Sequence, residues 1–290
     1  MRIALFGNKY KKAYIEQVDD ILNALKSKNA EIVAEKDFFN FLKLSGHDIS
    51  CISDSFTTAD NFQADFAFSI GGDGTFLTTA SVIGDKNIPI LGINTGHLGF
   101  MTDVLKSEVG EAIEELFAGE YVIEERTVLK LTTDNPDLQK PLYALNEIAV
   151  LKQDSASMIG ISASVNGEYL NHYQADGLIV ATPTGSTAYS MSVGGPIVVP
   201  QAHNLILSPV SPHSLNVRPL VIPDNWTIDL EVKSRSKNFL VSSDGRSSVF
   251  SNKYKLKLQK GEFTIKIIKR KNHTFFTALR EKLLWGIDNR

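Results

Sequence analysis

Cysteine is all but missing from this chain: Cys51 stands alone among 290 residues. A single thiol excludes an internal disulfide and any cysteine-cluster metal site. Positive charge is not in excess either. The formal net charge is -3, so there is no electrostatic case for a nucleic-acid partner. No apolar run is long enough to span a bilayer, which excludes a membrane partner of that kind. The segment Met1-Arg2-Ile3-Ala4-Leu5-Phe6-Gly7 has too short an apolar part for a signal peptide, and no small-residue cleavage site follows. It reads as a first strand, and the expected compartment is the cytoplasm. There is no Gly-x-Ser-x-Gly elbow and no His-Glu-x-x-His, so serine hydrolase and zinc protease chemistry have no support. The six histidines are scattered without metal-ligand spacing, and no protein metal site can be assigned from them.

What is present is ordinary in bulk and specific in detail. Hydrophobic residues make up 43% and charged residues 22%, as in globular proteins, and the length allows two cores. The first part alternates apolar runs with helical spacing. Arg2–Phe6, Glu31–Ala34, Phe66–Ile70 and Ile88–Ile93 read as strands. Between them, Tyr14 to Leu25, Phe38–Leu44 with Asp37 as N-cap, Thr75–Ile83, and Ser107–Phe117 with Ser107 capping and Gly119 stopping read as helices. Such alternation predicts a parallel sheet covered by helices. The later part changes period. Leu142–Leu151, Thr227–Lys233, Tyr254–Leu258 and Glu262–Ile267 read as strands, and Asn166-Gly167 is a hairpin signal. An antiparallel, sandwich-like β domain is expected over 126–271. An α/β domain is expected over 1–125, with 272–290, helical from Thr274 to Trp285, packing back on it.

Five residues carry the most chemistry. Gly71-Gly72-Asp73-Gly74-Thr75 follows an apolar strand and precedes a helical pattern. A turn poor in side chains offers backbone N–H groups to phosphate. A carboxylate in its midst makes sense if it handles a proton or a metal ion. The turn is not a Walker A loop, because no Gly-Lys-Ser/Thr follows. Nor is it a dinucleotide fingerprint, because Leu77 stands where the third glycine belongs. A second glycine-rich loop, Gly92 to Phe100, also follows a strand, and its His97 is a candidate phosphate contact. Asn146-Glu147 interrupts an apolar strand; a buried pair in need of partners and a solvated edge are equally compatible with it. From Asp176 to Ser192 an apolar strand leads into small hydroxyl residues beside Tyr189, which suit sugar hydroxyls and a flat base.

Together with Gly194-Gly195-Pro196, Pro212-His213-Ser214-Leu215 and Arg218-Pro219, these motifs resemble the NAD kinases, in particular the bacterial ATP-dependent type, over nearly the whole chain. The Gly-Gly-Asp-Gly turn alone is shared with lipid and other small-molecule kinases; the full set in this order is more specific. The resemblance implies a Rossmann-like α/β domain followed by a β-rich NAD-binding domain, in homodimers or homotetramers. It implies transfer of a phosphoryl group from ATP, with Mg²⁺, to the 2′-hydroxyl of the adenosine ribose of NAD. Asp73 matches the proton acceptor, with Gly71, Gly72, Gly74 and Thr75 around the phosphates. Asn146, Glu147, Asp176, Thr187, Ala188, Tyr189, Ser190, Met191, Ser192 and Ser211, with Asp73 and Gly74, match positions that contact the dinucleotide. Two departures stand out. Arg246 follows Asp244-Gly245 where many members have glutamine, and Gln174 stands where members often carry a basic residue. A kinase of another small molecule or lipid, and a non-catalytic NAD-binding sensor, are the competing readings.

Overall fold

A computed structural model describes residues 1–8, 15–96, 99–102, 104–154, 157–271 and 273–284. His97, Tyr14 and Trp285 lie outside the described residues. The chain divides into two units, Met1–Glu125 with Ile265–Arg290, and Arg126–Thr264. In chain order the strands and helices are β1 (Arg2–Gly7), α1 (Ile15–Ser27), β2 (Glu31–Glu35), α2 (Lys36–Leu44), β3 (Ile52–Phe56), β4 (Phe66–Gly71), α3 (Asp73–Ile83), β5 (Ile90–Asn94) and α4 (Val109–Ala118). Then come β6 (Tyr121–Thr133), β7 (Leu142–Ala144), β8 (Glu147–Lys152), β9 (Ile159–Val165), β10 (Glu168–Ala175), β11 (Gly177–Ala181) and the short α5 (Tyr189–Ser192). The chain continues through β12 (Asn204–Val210), β13 (Leu220–Pro223), β14 (Ile228–Lys233), β15 (Asn238–Ser243), β16 (Arg246–Ser251), β17 (Leu256–Arg270) and α6 (Phe275–Leu283).

The first unit is a parallel sheet in the order β17-β5-β4-β1-β2-β3. Parallel strands need crossovers, which α1, α2 and α3 supply between β1, β2, β3, β4 and β5 where a helix intervenes, and α4 leads on from β5 to β6. Ile3, Leu5, Phe68, Ile70, Leu91 and Ile93 of the central strands pack with Val18, Ile21, Leu25, Phe38 and Ile113 of the helices. β4 is buried at all six residues, which is why its sequence is a continuous apolar run. This is the Rossmann-like α/β arrangement expected.

The second unit consists of two antiparallel layers. One contains β10-β9-β14-β17, with β6 and β7; the other runs β13-β12-β11-β8-β15-β16. Their facing residues share one core that includes Leu129, Ile148, Val150, Ile161, Leu178, Val180, Leu207, Leu230, Phe239 and Leu258. β11 is buried on both faces: Ile179 and Ala181 point away from that core and pack with Ala149, Ile206, Val193 and Val198. A strand covered on both sides loses its alternation, and Leu178–Ala181 reads accordingly as an unbroken apolar run.

Several local expectations are corrected. Glu35, not Asp37, caps α2: its carboxylate accepts from the Phe38 N–H at 2.9 Å. Asp37 falls inside the first turn, where a negative charge favours the helix dipole without capping it. Ser107 does not cap α4, because a short 3-10 turn over Lys106–Glu108 carries it and α4 begins at Val109. Gly119 does end α4, in the left-handed conformation with φ 76°. Helix α3 starts at Asp73 rather than Thr75. The strand over 142–151 is broken at Leu145-Asn146. The two strands read in 254–267 are one, β17. β3 went unread because its sequence, Ile-Ser-Asp-Ser-Phe, is polar between its ends.

Candidate active site

Two clusters carry the chemistry, one in each unit. In the first, β4 ends at Gly71 and α3 begins at Asp73, with Gly72 as a cap that has no side chain. Thr75 and Phe76 donate their N–H groups to the Gly72 carbonyl. Those of Asp73 and Gly74 open the helix, where no intrahelical acceptor exists. Among the described residues, a Cβ on Gly72 or Gly74 would meet nothing within 4 Å. The protein's own packing therefore does not require these glycines, and they leave backbone N–H groups open to an anion.

Asp73 is held by the second glycine-rich loop. Its Oδ1 accepts from the N–H groups of Met101 (3.1 Å) and Thr102 (3.2 Å) and from the Thr102 hydroxyl (3.1 Å). Its Oδ2 accepts from the Phe100 N–H at 2.9 Å and from the Lys282 ammonium at 3.1 Å. Gly99 permits this approach, since a Cβ there would fall 2.0 Å from Asp73 Oδ1. Asn94 fixes the loop from behind, donating through Nδ2 to the Thr102 carbonyl and hydroxyl oxygens. Burial pushes the Asp73 pKa up, but the Lys282 charge and the Phe100 and Met101 N–H groups outweigh it, and the net shift is downward. Asp73 is a carboxylate at neutral pH.

In the second cluster the β7–β8 break turns Asn146 and Glu147 inward, and both are buried. Asp244 holds the break open. Its Oδ2 accepts from Leu145 N–H (2.8 Å), and its Oδ1 from Asn146 (2.9 Å) and Glu147 (3.2 Å) N–H. Thr182 closes the same turn, its hydroxyl donating to the Leu145 carbonyl at 2.6 Å. Glu147 accepts from the Tyr189 N–H at the start of α5. Burial, and then the charge of Asp244, push the Glu147 pKa up to about 7. Burial also raises Asp244, against its three N–H donors and Arg246. Among the described residues, Asn146 Oδ1 and Glu147 Oε2 are buried and meet no partner. Orphaned acceptors are costly and point to a ligand that completes them.

Thr187, Ala188 and Tyr189 lie at the turn into α5, next to Glu147, with Ser190, Met191 and Ser192 following in it. Ser190 shares a hydrogen bond with Ser208 at 2.9 Å. Asp176 and Ser211 are not brought to this cluster. β11 pairs with β8 so that Ala181 faces Glu147 and Gly177 faces Leu151. Asp176 therefore sits at the other end of β11, paired with Lys152 at 2.7 Å, and its N–H bonds the carbonyl of Val210, the residue before Ser211.

Comparison with known proteins identifies the chain. Residues 3–121 match the ATP-NAD kinase N-terminal domain, and residues 145–270 match the ATP-NAD kinase C-terminal domain. The chain belongs to the ATP-NAD kinase family. It is 51% identical to the NAD kinase of Bacteroides fragilis over 290 residues, the whole of both chains, and 42% identical to that of Cytophaga hutchinsonii, again over the whole of both. An NAD kinase from Archaeoglobus fulgidus in complex with ATP superposes with a TM-score of 0.72 at 27% identity, covering 99% of this chain and 98% of that one. Yeast NADH kinase complexed with NADH gives 0.88 at 22% identity, covering 100% and 89%, and shows the fold. The chain is thus an enzyme that phosphorylates NAD with ATP. The lipid-kinase reading is set aside.

Asp244, Lys282, Met101 and Thr102 were not read as site residues, and Asn94 and Phe100 were read only as members of the second glycine-rich loop, Gly92 to Phe100. For Asp244 a signal was present: Asp-Gly between two strands marks a tight hairpin, and both residues have positive φ, 47° and 80°.

Proposed function

We propose that the enzyme transfers the γ-phosphoryl group of ATP to the 2′-hydroxyl of the adenosine ribose of NAD, giving NADP and ADP, with Asp73 as the proton acceptor. The 2′-oxygen forms the new bond to phosphorus, the bond from phosphorus to the ADP oxygen breaks, and the hydroxyl proton passes to Asp73. The observation that carries this reading is a carboxylate clamped by loop N–H groups on the first residue of a helix whose amides are open to phosphate. In a loose transition state the hydroxyl becomes acidic only as it bonds to phosphorus, so a depressed carboxylate pKa is no obstacle. Gly71 to Thr75 would flank the phosphates.

Asn146 and Glu147, with the 187–192 segment, would hold the dinucleotide in a binding unit over 126–264; Asp176 and Ser211, at the far end of β11, would contact another part of it. Mg²⁺ would arrive as the ATP complex. Among the described residues no three His, Cys, Asp or Glu side chains form a metal group, and Asp73 is already filled by five donors, so phosphate oxygens rather than side chains fit the ion. The working state is read as a cytoplasmic homo-oligomer, dimer or tetramer; the edge strand β16, with Val249 exposed, suits a subunit contact.

Asp73→Asn tests the central role. Steady-state NADP formation should fall about 10²–10⁴-fold in kcat, with NAD and ATP still bound. A kcat near that of the unmodified enzyme sinks the assignment, and tight NAD binding without turnover in the unmodified protein would favour the sensor.

A further inference from the structure

Every acceptor position of the Asp73 carboxylate is occupied. Three donors reach Oδ1 and two reach Oδ2. A hydroxyl that is to give its proton to this group needs one of those positions. Four of the five donors belong to the 100–102 loop, which Asn94 fixes from β5. The fifth, Lys282, is of another kind. It is a long side chain on α6, a helix in which Leu279 alone is buried. Its ammonium lies 4.5 Å from the centroid of the Phe100 ring, and its side chain is 33% exposed. It is the donor that can leave without unfolding the loop.

We infer that Lys282 is a placeholder on the acceptor carboxylate: in the free enzyme it occupies the Oδ2 position meant for the substrate hydroxyl, and ATP draws it away onto the phosphates. This rests on the reading of Asp73 as the proton acceptor. The same helix start that holds Asp73 offers its amides to the phosphates, so the ammonium has a second, more highly charged anion beside its first. The exchange has two consequences. An unreacted Asp73 is kept charged and covered until the donor arrives. Once ATP is bound, Lys282 offsets phosphate charge while Oδ2 becomes free to accept from the ribose. Lys269, which donates to the Phe100 carbonyl at 3.4 Å, stays with the loop.

The test is ATP affinity without turnover, by calorimetry with Mg-ATP and no NAD on the full chain. If Asp73 and the phosphates compete for Lys282, Asp73→Asn binds ATP more tightly and Lys282→Met more weakly, each by about tenfold. The double variant then binds as weakly as Lys282→Met alone. A gain from Asp73→Asn that persists in the Lys282→Met background would reflect only the removal of a like charge, and would overturn the proposal. So would an Asp73→Asn variant that binds ATP no better than the unmodified enzyme. Lys282→Arg keeps the charge and should retain affinity; equal losses in the Arg and Met variants would mean a packing role and overturn it as well. Turnover of Asp73→Asn is read separately. If turnover survives, the proton-acceptor role falls while the affinity comparison still decides the exchange.

Discussion

Glu147 is a carboxyl whose ionisation the fold opposes, and Glu147→Gln exposes the cost. The carboxyl is buried beside Asp244, and its pKa rises from 4.5 to about 7. Between those values the folded protein holds a proton that the unfolded chain has lost. Stability therefore falls as pH rises through this window; the penalty is absent below the unfolded pKa and complete above the folded one. The two pKa values imply a loss of about 2–3 kcal/mol between roughly pH 5 and roughly pH 8.5. Gln has the shape of the protonated acid and cannot ionise, so the variant lacks this slope. The assay is urea unfolding of both proteins at several pH values, comparing the difference between them so that titrating groups not coupled to Glu147 cancel. The variant should gain on the unmodified enzyme as pH rises, by about the figure above. A difference that stays flat with pH would refute the upward shift that burial and the Asp244 charge give Glu147.

Two further perturbations test the scaffolds of the two clusters. Asp244→Ala removes the acceptor of three backbone N–H groups and should cost about 2–4 kcal/mol in denaturant unfolding, with NAD affinity falling because Asn146 and Glu147 lose their turn. Gly71→Ala places a Cβ 2.3 Å from the Thr75 hydroxyl oxygen. It should destabilise by about 1–3 kcal/mol in thermal unfolding and lower kcat by tilting α3 and Asp73, with Thr75→Ala in the same chain recovering part of the loss.

Much of the architecture was legible because it rests on local rules. Phe66–Ile70 followed by Gly71-Gly72-Asp73-Gly74 is a buried strand running into a glycine turn, and no other local structure suits it. Asn166-Gly167 turned out to join β9 and β10, since a two-residue turn with positive φ at both positions selects those residue types. Errors fell in two places: where a helix start shifted by a residue or two, and where a residue distant in sequence intervened. Asp37 has the usual chemistry of a cap, but the backbone enters α2 earlier and Glu35 reaches the free N–H. The strand pattern over 142–151 was unbroken in sequence because the residue that breaks it, Asp244, lies 98 positions away from Asn146.

By itself the sequence determined the strand-and-helix alternation followed by β strands, the glycine turn around Asp73 and, through its motifs, the family. These depend on period, on glycine placement and on residue type, all of which act over a few neighbours. Tertiary structure decided the electrical state of the acidic groups. Asp73 is driven down by Lys282 and by loop amides brought to it from residues 100–102, and Glu147 is driven up by burial against Asp244. A carboxylate's charge is set by what surrounds it within a few ångströms, and in this chain those surroundings come from distant segments.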